Sequence, residues 1–575
     1  PRRGAEPAPS VLNAASPPET RGSRVTPLRW WERTVTLAAC GAVLMCVCLP
    51  PLDWWPLGWI APLPWLLLAR QEKLGGRRPY LILWLAGFGY LLVSLHWLRL
   101  PHPVLYLGWA ALCFYLAFYV PLLVALTRIA VHRFRLSIVL AAPLIWFGFE
   151  LARGHIMTGF TMGTLGHSQY HWLDLIQISD IFGSYGVSAL LMFGAACVAR
   201  MLPWQKRPWT LWPAAPLAMV LAAVLGYGHA RRAAADPRAP LGPRIGLIQG
   251  SFDVEVKTDP RMNSVIVRRF YQLSREAEEK AQAAGAPLDL LVWPETMYRY
   301  PLYSFVDGFH LPPEWQHTDG TPIRPSELIE DSHEKIRMLS HALGLPLLIG
   351  IERLHGNERG RLLNYNSAIL VNRAGEIEPA YDKMHLVMFG EYIPFTDWFP
   401  WLYDLTPVSG GAEPGAGPVS YQVGNARIAP NICYETTIPH LIRNQVVELT
   451  RRGEEPDILI NVTNDGWFRG SNELDMHLAC GVFRAVECRK PLLIAANTGF
   501  SAWIDANGQI IQQARRQQED LIVAQPRLEK RASLYLQIGD WPAGACLLFC
   551  AFLAGVGLRD VYRARRAQRR APTGC

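Results

Sequence analysis

Charged residues are scarce in this chain: Asp, Glu, Lys and Arg make up 18% of its 575 residues, against roughly 25% in an ordinary soluble protein, and that excludes a simple water-soluble globule. Cysteine is nearly missing from the middle of the sequence. Of 11 Cys, only Cys433, Cys480 and Cys488 fall between about 231 and 540, which is no disulfide framework and excludes a disulfide-knotted secreted module. Cys480 and Cys488 stand eight apart on an expected helix, and His341 and His355 lack partners at ligand spacing, so no metal is expected. No Gly-rich phosphate loop follows a strand, so neither a nucleotide nor any other cofactor is expected. The composition is also not that of a disordered chain or a collagen-like fibre.

What the chain has in excess is apolar length. Hydrophobic residues reach 50%, with 21 Trp, and they gather in long runs between 34 and 230 and once more between 541 and 558. A spanning helix needs roughly 17 to 25 mostly apolar residues, and eight stretches qualify: 34–50, 55–70, 79–98, 104–127, 136–152, 184–202, 209–229 and 541–558. The second is short and carries Pro56, Pro62 and Pro64, which leaves a broken or re-entrant segment and a count of seven as the alternative, but the alternation of basic loops favours a crossing and eight spans. The expected organisation is a basic, disordered segment (1–29), a transmembrane domain of about seven helices (30–230), a soluble domain (231–540), a last transmembrane helix (541–558) and a basic tail (559–575).

Every second loop is basic, with Arg70, Lys73, Arg77 and Arg78, then Arg128, Arg133 and Arg135, then Arg200, Lys206 and Arg207, while the alternate loops carry only Arg99 and Arg153 at their edges. By the positive-inside rule the basic loops are cytoplasmic. Arg21, Arg24, Arg29 and Arg33 place the N-terminus on the same side. Seven crossings then put the soluble domain outside, and the eighth returns the tail, whose six Arg against one Asp between 559 and 570 read as a topology signal and not as a nucleic-acid site. No small-residue cleavage site follows the first span, so it reads as an anchor.

In the middle, short apolar runs bounded by Gly, Pro or Asp read as buried strands: 244–249, 289–293, 346–351, 367–371, 427–432, 457–462, 491–496, 502–505 and 521–524. Helical stretches at 265–284, 325–343 and 474–486 alternate with them. An α/β domain with covered sheets follows, and ligand sites in such domains lie beyond the carboxyl ends of strands. Three strand ends carry chemistry there: Trp293-Pro294-Glu295, Tyr381-Asp382-Lys383 and Cys433-Tyr434-Glu435. Acyl transfer needs a nucleophile, a base and a group that stabilises an oxyanion, and Cys433, Glu295 and Lys383 suit those parts. Each signal alone is weak, since a lone Cys at a strand end is more often a small core residue.

Together, in this order, the three segments resemble the nitrilase superfamily, whose fold is an α-β-β-α sandwich. The run His385-Leu386-Val387-Met388-Phe389-Gly390-Glu391-Tyr392-Ile393-Pro394 and the flanking spans resemble, more narrowly, the apolipoprotein N-acyltransferases, as do Gln249-Gly250, Thr463 to Phe468, the Arg484 to Pro491 stretch and Asn497-Thr498-Gly499. The resemblance implies that Cys433 is the nucleophile, Glu295 the general base and Lys383 the oxyanion-stabilising amine, with Glu391, Tyr434 and Glu435 in supporting positions. It further implies a ping-pong transfer of an acyl chain from a membrane phospholipid, through a Cys433 thioester, to the N-terminal amino group of a diacylglyceryl-cysteine apolipoprotein. The place would be the bacterial inner membrane, with the catalytic domain facing outward. Met388, Ser251 and Thr258 depart from the family's usual Pro, Asn and aromatic. Met388, Phe389, Trp467 and Phe468 are candidates for a lipid entrance, along with the apolar stretch from Tyr392 to Trp401. Two rival readings use the same sequence: a membrane-anchored amidase for a small amide or nitrile, which shares the triad but needs no multi-span domain, and a polytopic transporter with a dead sandwich, which the intact triad disfavours.

Overall fold

The computed structural model describes residues 33–205, 208–394 and 411–570, together with Thr396, Trp398, Phe399, Trp401 and Tyr403. The expected disordered segment over 1–29 and the end of the basic tail lie outside the described residues.

The soluble domain is two stacked six-stranded sheets. Its strands are β1 (Ile245–Gln249), β2 (Leu290–Phe305), β3 (Leu347–Gly356), β4 (Leu362–Val371), β5 (Tyr381–Asp382), β6 (Tyr421–Val423), β7 (Ala426–Ile432), β8 (Ile458–Thr463), β9 (Leu492–Ala496), β10 (Ala502–Ile504), β11 (Ile510–Gln513) and β12 (Asp520–Ala524). One sheet runs β12-β1-β2-β3-β4-β5 and the other β11-β10-β9-β8-β7-β6. Within them β1, β2 and β3, and likewise β7, β8 and β9, are parallel.

The strands are apolar on both faces because both faces are covered. Ile245, Leu247, Leu290 and Val292 of one sheet meet Ile458, Ile460, Val462 and Leu493 of the other in a core between the sheets. The alternate residues Ile248, Leu291 and Trp293 point the opposite way, against Ile266, Phe270 and Ile336 of helices Asn263–Ala283 and Pro325–Leu343. On the far face of the second sheet, Leu459 and Ile494 pack on Val446, Leu449, Val482 and Phe483 of helices Pro439–Arg451 and Glu473–Cys488. The layers are therefore helix, sheet, sheet, helix, as expected.

The second helical layer also packs on the apolar N-terminal region, since Leu175, Ile176, Val187 and Leu190 join the same cluster. Two buried charge networks pin this contact. Asp180 accepts hydrogen bonds from Arg489 Nε at 2.9 Å, Arg231 Nε at 2.8 Å and the Tyr227 hydroxyl at 2.7 Å. Arg484 donates to Glu487 at 2.8 Å, whose Oε1 also accepts the Ser184 amide at 2.6 Å.

Three helices among the described residues are long and apolar enough to cross a membrane: Leu105–Arg133, Ser179–Met201 and Trp541–Ala567. Thr34–Val47 and Pro79–Ser94 are apolar but shorter. The stretch expected at 55–70 is not one helix. It forms a 3₁₀ turn, Trp55–Trp59, and an eight-residue helix, Leu63–Arg70, because Pro62 and Pro64 cannot donate the amide bonds a continuous helix would need across that point. Arg70, counted above as a loop charge, is buried and donates to the carbonyls of Ala199 and Leu202. The C-terminal helix crosses Ile138–His155 at Gly148, where a Cβ would lie 2.7 Å from the Leu547 nitrogen; only glycine permits that approach.

Candidate active site

Glu295, Lys383 and Cys433 come together from three strands: Cys433 follows β7, Lys383 follows the short β5, and Glu295 lies within β2. Glu295 sits inside β2, where the pairing with β3 slips between Trp293 and Tyr298. That bulge turns the carboxylate toward the second sheet. Opposite it, a side chain at Gly350 would come within 2.4 Å of the Pro294 carbonyl, so glycine on β3 is what lets the bulge pack. Cys433 follows the last residue of β7 and opens a 3₁₀ turn, Cys433–Thr437, with φ at +52°. A left-handed backbone at a non-glycine residue costs about 1–3 kcal/mol. It is held from both sides: Asn461 Nδ2 donates to the Cys433 carbonyl at 3.2 Å, and the Ile432 amide donates to Glu435 Oε2 at 2.7 Å.

Glu435 is a clamp. Its buried carboxylate also accepts the Tyr381 hydroxyl at 2.8 Å and the amides of Met384 at 2.8 Å and His385 at 3.0 Å, so one side chain ties the turn at Cys433 to the segment bearing Lys383. The Lys383 side chain is 1% exposed; its Nζ lies 2.9 Å from Glu391 Oε1 and 3.7 Å from Glu295 Oε1. Burial alone would lower the lysine's pKa, but Glu391, Cys433 and Glu295 outweigh it and the ammonium is held above its usual value. Burial would raise Glu391, yet Lys383 and hydrogen bonds from Val387 and Asn366 hold it below its usual value. For Cys433, burial and the neighbouring Glu295 push the thiol well above its usual value, with Lys383 opposing them. At rest the sulfur is therefore protonated and needs a base, and the carboxylate of Glu295 is the neighbour of that chemistry.

Asn366 was not singled out in the sequence, and Asn464 and Asp465 only as part of the stretch from Thr463 to Phe468. Asn366, on β4, donates from Nδ2 to Glu295 Oε1 at 2.6 Å and to Glu391 Oε1 at 3.0 Å, and its carbonyl accepts the Lys383 amide at 2.8 Å. The Asn464 amide donates to Glu295 Oε2 at 3.0 Å. Both carboxylate oxygens of Glu295 are thus fixed. Asp465, Glu473 and His477 form a buried group whose ligand atoms could hold a metal ion, but His477 Nδ1 and Asp465 Oδ1, 3.2 Å apart, already form a hydrogen-bonded pair.

Of the lipid-entrance candidates, Phe389 and Trp467 are exposed and Met388 is half-buried. Phe468 is half-buried and edge-on to Trp97 of the N-terminal region, with ring centroids 4.9 Å apart. Trp398, Phe399 and Trp401 are exposed. Tyr434, next to the nucleophile, donates its hydroxyl to the Gly159 carbonyl at 2.8 Å. The site thus opens beside the apolar helices.

Comparison with known proteins agrees with this arrangement. The family described as "Apolipoprotein N-acyltransferase N-terminal domain" matches residues 41–197, and the family described as "Carbon-nitrogen hydrolase" matches residues 210–534. An apolipoprotein N-acyltransferase of Rhodopirellula baltica is 30% identical over 566 residues, covering 92% of this chain and 97% of its own. One of Geobacter metallireducens is 32% identical over 540 residues, covering 92% and 96%. Among solved structures, an amidase of the nitrilase superfamily from Nesterenkonia AN1 aligns over 52% of this chain and 95% of its own, at 18% identity and a TM-score of 0.33. The full-length matches, spanning both the apolar region and the sandwich, establish that this chain belongs to the apolipoprotein N-acyltransferase family.

Proposed function

We propose that the protein moves an acyl chain from a membrane phospholipid to the N-terminal amino group of a diacylglyceryl-cysteine apolipoprotein, with Cys433 as nucleophile, Glu295 as general base and Lys383 as the oxyanion-stabilising cation. Glu295 takes the Cys433 proton as the sulfur attacks an ester carbonyl. Lys383 stabilises the tetrahedral oxyanion, and the lysophospholipid oxygen leaves with the proton from Glu295. The thioester is then attacked by the acceptor's α-amino group, whose proton passes through Glu295 back to the departing sulfur. Glu391 keeps Lys383 charged; Glu435 and Tyr434 hold the nucleophile's turn.

The observation that carries this reading is the contact of the turn at Cys433 with the loop that follows the apolar helix Ile138–His155, Tyr434 to Gly159 at 2.8 Å. Both substrates keep their acyl chains in the bilayer, and exposing them to water costs about 0.8 kcal/mol per CH₂. A site for small soluble amides would gain nothing from that contact. In the same reading, residues 30–230 and 541–558 are the membrane part, crossed seven times and once, and 231–540 the catalytic part. The sandwich faces the outer side of the inner membrane, both termini face the cytoplasm, and Met388, Phe389, Trp467 and Phe468 border the path of the acyl chains.

Intact-protein mass spectrometry after incubation with a defined phospholipid and no acceptor tests it. The expected result is a gain of one acyl group, removed by hydroxylamine and absent in Cys433→Ala. No adduct, with Cys433 still reactive toward a thiol reagent, would reject the phospholipid donor and favour an amidase.

A further inference from the structure

A second buried lysine stands beside the site. Lys257 lies in a short helix, Val254–Thr258, that follows β1, and it is 7% exposed. Its Nζ donates to the hydroxyl of Thr296, the residue after Glu295, and Thr296 Oγ1 in turn donates to the Glu295 carbonyl at 2.8 Å. The same Nζ is 6.0 Å from the ring centre of Trp467. A further cation, Arg299, packs against this group: it donates to the Lys257 carbonyl at 3.0 Å, the Thr296 carbonyl at 3.1 Å and Asn263 Oδ1 at 3.3 Å.

All of these acceptors are neutral. Among the described residues no carboxylate stands within ion-pair distance of Lys257 or Arg299, although Lys383, a few ångströms into the same site, has two. Taking a cation out of water without a counter-ion is costly, and burial accordingly lowers Lys257 to about 8, with Glu295 acting against it. Burial lowers Arg299 as well. An ammonium has three donors, and Thr296 is the one hydrogen-bond partner of the Lys257 ammonium among the described residues. Two positive groups thus share a wall beside Glu295, with donors to spare; Glu295 and Glu352 act on them electrostatically, but among the described residues neither is within ion-pair distance.

We propose that Lys257, with Arg299 behind it, binds the phosphodiester of the acyl donor and so makes the first half-reaction selective for phospholipids over neutral glycerolipids. The inference rests on the acyl-transfer reading above and adds to it the group that recognises the donor. The phosphodiester is one glycerol away from the ester that Cys433 attacks, which suits a cation one residue's reach from Glu295. The acceptor, by contrast, brings an amine to the reaction centre, and a cation here would not recruit it. Trp467, over which the ammonium lies, would cover the headgroup side of the same space.

The test uses the full-length protein in detergent micelles without acceptor, with dioleoyl-phosphatidylethanolamine or dioleoylglycerol as donor, and follows Cys433 thioester formation by intact mass. The two donors carry the same acyl chains and differ by the phosphoethanolamine headgroup, whose phosphate is the anion offered to Lys257. Wild type is expected to acylate faster from the phospholipid by about 10- to 100-fold, the range of one lost charged hydrogen bond. Lys257→Met should bring that ratio close to one, and Lys257→Arg should keep most of it. A wild type that does not discriminate overturns the proposal whatever the variants do. So does a Lys257→Met protein that is slower on both donors by the same factor, which is what a purely structural lysine would give. No thioester from either lipid in the wild type, with Cys433 still reactive toward iodoacetamide, rejects the acyl-transfer reading itself and is thereby distinct from the other two results.

Discussion

The Lys383 ammonium is bonded to Glu391 at 2.9 Å and not to Glu295, from which it stands 3.7 Å away. The lysine's charge is therefore maintained by a carboxylate that takes no proton, leaving Glu295 free to act as base. The sign of the linkage follows from the two shifts. Lys383 is raised, so its contribution to stability is complete below the usual lysine value, about pH 10, and fades only as pH climbs through its native value. Glu391 is lowered, so its contribution is complete above about pH 4.3 and fades as pH falls through its native value. Glu391→Gln should lower stability at pH 7 by about 2–3 kcal/mol, less than the 3–5 for a fully buried broken pair because Gln can keep hydrogen bonds here. The deficit should begin to shrink as pH falls below about 4.3, where the carboxylate of the unfolded chain takes up a proton, and should vanish only below the lowered native value. Thermal melts of both proteins across this range check it; curves that stay parallel into acid would mean that the charge of Glu391 is not what matters.

Glu295 and Cys433 should separate thiol reactivity from acyl transfer. The carboxylate opposes thiolate formation electrostatically, yet in the proposed mechanism it is the general base and accelerates attack, an effect of about 10²–10⁴. Glu295→Gln is therefore expected to cut thioester formation from phospholipid by that factor without slowing alkylation of Cys433 by iodoacetamide at pH 8. Measured side by side, a parallel fall of both rates would show that Glu295 shapes the pocket and does not move the proton.

The sequence and the structure agree where periodicity and position reinforce each other. The runs ending before Glu295 and Cys433 are strands because their alternate residues fill two different cores; Cys433 follows at the end of β7, whereas β2 runs on past Glu295 to Phe305 and presents it at a bulge. Asn366 escaped notice for a related reason. It lies one residue before the apolar run 367–371, and β4 extends back through it to Leu362, so a polar position that looked like loop is a strand residue aimed at two carboxylates. Lys257 was hidden by the short helix that buries it, since nothing in a Val-Lys-Thr triplet announces that a lysine will lose its solvent. The stretch over 55–70 is broken at its prolines, as their missing amides dictate and as the sequence suggests. Arg70 was misread as a loop charge because hydropathy does not reveal that carbonyls at a neighbouring helix end, Ala199 and Leu202, are waiting for a donor.

The joint between the sandwich and the apolar helices makes a prediction about stability that leaves the chemistry aside. Asp180 and Arg489 are almost fully buried and paired, and Arg231 and Tyr227 share the same carboxylate. Removing one partner of such a pair leaves an uncompensated charge and costs about 3–5 kcal/mol. Asp180→Asn should therefore lower the melting temperature of the full-length protein sharply, and more than Arg489→Met, which removes one cation and leaves Asp180 still paired with Arg231. In the double variant the deficit should be smaller than the sum of the two, because the carboxylate and its principal cation leave together. Additive losses would mean that the two residues stabilise the joint independently, through packing and not through their charges.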